Sequence, residues 1–528
     1  MATPEWLMCP AILLLAAPFI PSTLANLRPV ETARLVARLT GLNCLAAALL
    51  VTFQLTRQAD ALQSASENNS IATLLHIDGI SGLMLLLVSL VGWVIARYSV
   101  RYLAGETRQG SYSLWLSLTV GAVSLLVVSD NLLLMFVAWC LSSLGIHQLL
   151  THYKDRPAAR RAAWMKFGIS RIGDLALVGA GFLICREFGT LGLTRLFAAI
   201  DDYRINELPG TSLMPTIGAL LIAGAALKTA QFPFHSWLPE TLEAPTPVSA
   251  LMHAGIVNAG GYVLIRLSPL LAWSYTSLTA LACLGAFTAC FAALVMLTQT
   301  SIKKSLAWST IAQMGFMMFQ CGLGAFSAAM LHIIAHSLYK TYAFLNSGDV
   351  LTEKAAIRGS SPPLTTRPST GFGTLVTATL GTVVIYLGIA QIYGLRFSEK
   401  PGGFILCLIL CLGLARWVWL TLQARNRLSL AIGVSTAAIL SAFYIGVFQT
   451  IDAIIGSGPV LVSDARNVPA IAAIAVSGFV FLSLFETWLW LRSTDNAHRP
   501  APWLQAAYVH ASNGFYVDAA LSRLTRVD

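Results

Sequence analysis

About fifteen stretches of roughly 20 mostly apolar residues follow one another along this chain, and each is long enough to cross a bilayer as a helix. Together they use more than half of the 528 residues. Of the whole chain, 56% is hydrophobic and only 11% is charged, a composition that no soluble domain of this length has. The reading is an all-α polytopic membrane protein, one bundle of helices. No loop is long enough to hold a soluble catalytic domain.

The first two segments fall at about 7–24 and 35–55, and a polar link over 56–70 leads to HIDGIS at 76–81, the start of the third. Segments four and five, about 114–129 and 132–150, are nearly continuous across the turn SDN. A basic loop, HYKDRPAARRAAWMK, precedes segment six, which begins near Phe167 and includes SRIGD. Segments seven and eight surround Lys228 and His253. Segments nine, ten and eleven follow at about 271–297, 306–321 and 325–345. A Ser/Pro/Thr-rich loop (352–371) then leads to segments at about 372–393, 402–422, 428–448 and 469–491, and a polar tail.

The net charge of +10 does not point to nucleic acid, because the basic residues sit in short loops. Those loops follow odd-numbered segments, which places the N-terminus outside and the C-terminus in the cytoplasm of a bacterial inner membrane. The nine cysteines are scattered without CxxC spacing and read as small core residues. The first segment lacks a basic n-region and carries Glu5, so it reads as an uncleaved helix. There is no nucleotide loop, no Ser/His/Asp arrangement and no iron–sulfur cysteine cluster; the chain reads as a transporter component without a cofactor, not an enzyme.

The stretch LKTAQFPFHSWLPETLEAPTPVSALMHAGIV (227–257) puts Lys228 inside an apolar run that is broken near Pro233, with His253 on the next helix. An ionisable residue inside the membrane is costly and by default marks an ion path. A proline break is tolerated only where protein or water satisfies the freed carbonyls. The alternative is that Lys228 snorkels to an interface, and the link with Trp237, Glu240 and Glu243 does read as interfacial. His253 alone reads more readily as a core histidine.

His332, His336 and Lys340 are spaced i, i+4, i+8. Each step rotates only about 40°, so the three form one stripe about 12 Å long. Such a stripe passes protons through intervening waters. A structural hydrogen-bonded face is the alternative. An HxxxH zinc pair is disfavoured, since a lysine one turn away opposes a cation. Asp130 in SDN and Asp174 in RIGD are helix-end residues or counter-charges, with Arg171 the local partner of Asp174. Lys303 and Lys304 are read in the loop before segment ten, and His147 and His152 as interfacial.

GAALKTAQFPFHSWLPETLEAPTPVSALMHAG resembles the signature of the proton-pumping membrane subunits of respiratory complex I and of Mrp-type cation antiporters. IKKSLAWSTIAQMGFM, MLHIIAHSLYKTYAFLNSGDV, HIDGIS, MFVAWC, SRIGD and NGFYVDAAL fit the same family, over most of residues 70–350. The resemblance implies two inverted five-helix repeats, each with a broken helix, over 111–270 and 271–425. Residues 1–110 would supply three preceding helices, 426–492 the last ones and 493–528 a cytoplasmic tail. It implies that Lys228 is the central lysine of helix seven and His253 the histidine of helix eight. His332, His336 and Lys340 would be the polar axis of helix eleven.

The departures matter as much. Where the family has a glutamate after the helix-five tryptophan, this chain has Cys140 after Trp139, and helix twelve carries no charge. In its length, missing appendages and altered charges the chain looks most like the DabB membrane subunits of inorganic-carbon accumulation complexes. Their partner, DabA, is a large zinc protein resembling β-carbonic anhydrases. That resemblance implies H+ or Na+ flux coupled to bicarbonate or CO2 accumulation, with zinc in the partner. A pump subunit of a complex I-like or hydrogenase complex, an Mrp-type antiporter subunit and a purely structural membrane scaffold are the other readings.

Overall fold

A computed structural model describes residues 5–61, 74–206, 211–348, 372–395, 401–423, 427–455, 476–480, 485 and 502–525. The first part of the chain forms α1 (Cys9–Ala16), α2 (Ser22–Leu27), α3 (Pro29–Ala61), α4 (Gly79–Tyr102), α5 (Gln109–Val128), α6 (Leu132–Leu150) and α7 (Pro157–Phe188). There follow α8 (Leu193–Ile205), α9 (Met214–Lys228), α10 (Trp237–Glu240), α11 (Thr246–Ala254), α12 (Ala259–Arg266) and α13 (Ser268–Leu271). The rest comprises α14 (Tyr275–Met296), α15 (Ile302–Gly322), α16 (Phe326–Leu345), α17 (Phe372–Ile392), α18 (Pro401–Gln423), α19 (Arg427–Ile455), α20 (Pro502–Ser512) and α21 (Val517–Thr525).

Ten described helices are long and apolar enough to cross a membrane, with α11 and α12 counted as one interrupted span. The shorter apolar helices Cys9–Phe19 and Met214–Lys228, and α15 and α16 with their polar residues, complete the described bundle. The chain is thus a multi-pass, all-α membrane protein with broken helices. Most of the last expected segment, 469–491, lies outside the described residues.

Several boundaries differ from the sequence reading, each for a local reason. The first segment is not one helix. Pro18 sits in a 3-10 turn and Pro21 interrupts the chain before α2, because proline lacks the N–H that a continuing helix needs. The second helix starts at Pro29, a position proline favours as the first helical residue, and runs to Ala61. Segment six begins ten residues before Phe167, at Pro157, so Arg160, Arg161 and Lys166 of the basic run lie within α7. Lys303 and Lys304 are in the first turn of α15, where Lys303 Nζ donates to Thr246 Oγ1 at 3.0 Å.

The SDN turn divides its work between two helices. Asn131 Oδ1 accepts from the Leu133 and Leu134 amides and caps α6. Asp130 Oδ1 accepts from the Thr194 amide and hydroxyl at the start of α8. Asp130 is therefore a helix-end residue. The tail motif NGFYVDAAL returns to the bundle, with the Phe515 ring 5.7 Å from Phe291.

Two contacts fix the frame. Helices α14 and α15 meet along a seam of small residues. A Cβ added at Gly315 would stand 2.5 Å from the Ala289 nitrogen, and one at Gly322 2.4 Å from that of Ala282. Close backbone approach of this kind is how membrane helices associate without a hydrophobic drive. On α4, Asp78 forms a capping box with Ser81 and pairs with the buried Arg266 at the end of α12.

Burial pushes the Asp78 carboxyl up, but the Arg266 guanidinium and the Ser81 hydrogen bonds outweigh it and hold it below the usual carboxylate range. Such a group stabilises the fold above the ordinary carboxylate pKa, and loses its contribution as pH falls through the lowered value. Asp78→Ala strands a buried arginine and is expected to cost roughly 3 kcal/mol, the low end for a broken buried pair because Asp78 itself is partly open to water. Unfolding in detergent at pH 7 checks this, and the difference from wild type should shrink below about pH 4.

Candidate ion-translocation site

Lys228 is the last residue of α9. The helix ends there because Ala230 turns into a left-handed conformation, φ 53°, five residues after which the chain reaches His235. The link is not interfacial throughout: Trp237 is 2% exposed and His235 wholly buried, while Glu240 and Glu243 face outward. Lys228 is 3% exposed, so it does not snorkel.

Its ammonium makes no hydrogen bond and lies 4.2 Å from the centroid of the Trp139 ring. A desolvated cation over a tryptophan face gains about 2 kcal/mol. The same indole donates from Nε1 to Asp174 Oδ1 at 2.8 Å, and Asp174 Oδ2 is 2.6 Å from Arg171 Nη2. Trp139 therefore stands between a cation and a carboxylate. Asp174 is not at a helix end: it sits near the middle of α7, buried, and belongs to the Lys228 site. Cys140, where the resemblance led us to look for a glutamate, is half-buried beside it.

Three buried polar groups are absent from the sequence reading. Lys166 is 1% exposed and donates from Nζ to Ser143 Oγ at 3.0 Å. With α7 extended back to Pro157, Lys166, Ser170 and Asp174 fall at i, i+4, i+8 on one buried face. That spacing is the signal that finds it. His235 is enclosed by rings, with Phe291 and Trp308 at 5.3 Å, and neither of its nitrogens has a partner. Asn258 follows the hinge at Gly255, in the 3-10 turn between α11 and α12.

Helix α16 carries its expected stripe. His336 is buried and its Nε2 faces the His253 carbonyl at 3.2 Å, so that nitrogen bears the proton. The His332 and His336 rings lie 5.9 Å apart. Lys340 Nζ donates to Ser309 Oγ and to the Leu306 carbonyl, the latter at 3.2 Å. The wholly buried His253 ring stacks on Phe344 at 4.4 Å, with both nitrogens unpartnered.

Between Lys228 and α16 the connection runs through α12. Gly260 lies so close to α9 that a Cβ there would stand 2.6 Å from Thr229 Cγ2. Asn258, two residues earlier, donates from Nδ2 to Ser337 Oγ on α16 at 2.8 Å. A cavity with room for about one water molecule, 20 Å³, adjoins Asn258, Ser337 and Gly255. Among the described residues no three His, Cys, Asp or Glu side chains gather into a metal-binding group.

Residues 129–361 match the family model "NADH:quinone oxidoreductase/Mrp antiporter, TM", and 65–113 match the N-terminus of complex I chain 5. The chain is 35% identical over 527 residues to the probable inorganic carbon transporter subunit DabB2 of Halothiobacillus neapolitanus, covering 98% of this chain and 92% of that one. The chain belongs to the DabB family. A second member, the probable inorganic carbon transporter subunit DabB of Hydrogenovibrio crunogenus, is 44% identical over 276 residues, about half of each chain.

Among solved structures, the Mrp complex from Dietzia matches with a TM-score of 0.58 at 22% identity, over all of this chain and 60% of that one. The membrane-bound sulfane sulfur reductase, an archaeal respiratory membrane complex, matches at 0.55 and 20% identity, over 96% of this chain and 99% of that one. These likenesses show that the DabB-family chain has the antiporter-like fold.

Trp139→Phe keeps an aromatic face for Lys228 but removes the donor to Asp174. It should lower stability by about 2 kcal/mol, as for a hydrogen bond to a charged group. Trp139→Leu removes both contacts and should cost more. Thermal unfolding of the purified variants in one detergent gives the ranking.

Proposed function

We propose that this subunit moves H+ or Na+ along Lys228, His253, His336, His332 and Lys340, and that this flux drives inorganic-carbon accumulation. The zinc-containing, carbonic-anhydrase-like DabA protein would be its partner and would carry any catalysis. The observation that carries the reading is the buried polar row itself. Lys228 and Asp174 flank Trp139, and Asn258–Ser337 leads on to His336 and Lys340, all within membrane helices. Buried ionisable groups in a bilayer are retained at a cost, and this row has no other evident use. The names of the relatives support inorganic carbon as the cargo.

In this reading Lys228 is the switchable charge. Its contact is an aromatic face rather than a carboxylate, so releasing its proton leaves no anion stranded beside it. Asp174 and Cys140 act as accessories: Asp174 orients Trp139, and Cys140 leaves the usual counter-charge out. Asp130, as the cap of α8, keeps the turn between α5 and α6 in place. Residues 111–270 and 271–425 would be the two inverted repeats, with the N-terminus outside and the tail in the cytoplasm of the bacterial inner membrane.

A second reading, a subunit of an Mrp-type antiporter or of a redox pump, is favoured by the family model and by the Mrp structure that matches the whole chain. The charge-free α17 and the tryptophan-mediated contact at Lys228 weigh against it. Mass spectrometry of proteins that co-purify from native membranes separates the two. A large zinc protein as main partner supports carbon accumulation, and a set of antiporter-like subunits or iron–sulfur proteins overturns it.

Lys228→Ala is expected to abolish bicarbonate-dependent uptake while the protein remains in the membrane; uptake at the wild-type rate would sink the proposal. Cys140→Glu supplies a carboxylate beside Lys228 that favours its charged form. Transport through this variant should be slower, and unchanged transport would remove the role given to Cys140.

A further inference from the structure

The α7 face adds a group that the proposed path does not use, and it bears on which ion moves. Lys166 is buried as deeply as Lys228, and its ammonium reaches only Ser143, through the hydroxyl at 3.0 Å and the carbonyl at 3.4 Å. One helical turn on is buried Ser170, and one more is Asp174. This is the same spacing as His332, His336 and Lys340 on α16. At the loop end of this face His147 Nδ1 lies 3.3 Å from the Ala163 carbonyl, and His152 pairs with Glu106 at 2.8 Å.

The charges do not balance. Lys166, Arg171 and Lys228 are three cations around one carboxylate, Asp174, and Arg171 is already paired with it at 2.6 Å. Cys140 supplies no negative charge where a carboxylate would. Two uncompensated ammonium groups in a membrane interior would repel each other and each would lose its hydration, at several kcal/mol per ion. The arrangement is stable with one excess proton, not two.

A sodium ion has no seat here. Hard cations bind through several oxygen ligands, and the one carboxylate at this site already has its charge met by Arg171, while its Oδ1 accepts from the Trp139 N–H. Entry past Lys166 toward Lys228 would place Na+ between two amines.

We infer that the ion carried through this half of the molecule is H+ and not Na+, and that Lys166 is the relay that exchanges one proton with Lys228 across the Ser170–Asp174–Trp139 group. The step is a proton transfer between amines: the N–H bond on one Nζ breaks as one forms on the other, by way of hydroxyl and water. No oxidant or further reactant is involved. The inference rests on the ion path proposed above and narrows it to one ion and one further residue.

The test uses the complex with its native partner, reconstituted in liposomes, with an internal pH dye and a Na+-sensitive dye read together. Wild-type flux should follow the pH gradient and persist when Na+ is replaced by choline. Lys166→Met should stop it, and Lys166→Arg should stop it equally, because arginine keeps its charge but does not release a proton. A merely structural cation would be rescued by arginine.

Na+-dependent flux, or wild-type flux through Lys166→Arg, overturns the inference while leaving Lys228 in place. Undiminished flux through Lys228→Ala overturns the ion path as a whole. If the Lys166 variants fail to reach the membrane, the choline substitution on wild type still decides between the two ions.

Discussion

A lysine ammonium with no hydrogen-bond partner, held against a tryptophan face inside a membrane protein, is the contact on which the rest of the site depends. In water such a contact is weak, and in a desolvated interior it grows to about 2 kcal/mol. That is enough to place the ammonium and too little to lock it as a salt bridge would. The break after α9 exists to allow this. A continuous helix through Lys228 would carry the chain past Trp139 and leave no route for the FPFHSW link to fold back into the core, where Trp237 and His235 are buried. The close approach of Gly260 to Thr229 then sets α12 against the end of α9, and Asn258 joins that contact to α16.

Trp139 also explains how the site works without the glutamate. A carboxylate directly beside Lys228 would bind its charge strongly at low dielectric. Here the nearest carboxylate acts through the indole: Asp174 accepts from Nε1 while Lys228 sits over the ring. The negative charge is also shared with Arg171. The result is a contact that places the ammonium without fixing it as a direct ion pair would.

Much of this is readable from the sequence, and the failures have physical causes. The α16 stripe follows from spacing alone, since 3.6 residues per turn fixes which side chains align. Lys228 follows from a charge within an apolar run. Lys166 does not, because it ends a run of basic residues that reads as a loop; only the helix start at Pro157 turns it toward the interior. Asn258 and His235 lie where the helix is broken, and there no periodicity says which way a side chain points. The split of α1 from α2 is written in Pro18 and Pro21, but apolar content outweighs two prolines when a window of twenty residues is judged.

The two halves of the bundle are unequal in a way that bears on coupling. The first half has both described breaks, after Lys228 and at Gly255, and its cations crowd one carboxylate. The second half contains α17, a continuous helix without a charge, and the α16 stripe, with Lys340 tied to Ser309 and the Leu306 carbonyl. A charge moved at Lys228 would change the field felt along His336 and Lys340, because all three side chains are buried and charges interact strongly at low dielectric. Under the proposed function, coupling would be electrostatic and would run from Lys228 toward the α16 stripe. A partner seated near the second half would then sense the protonation state of the first without any large movement of helices.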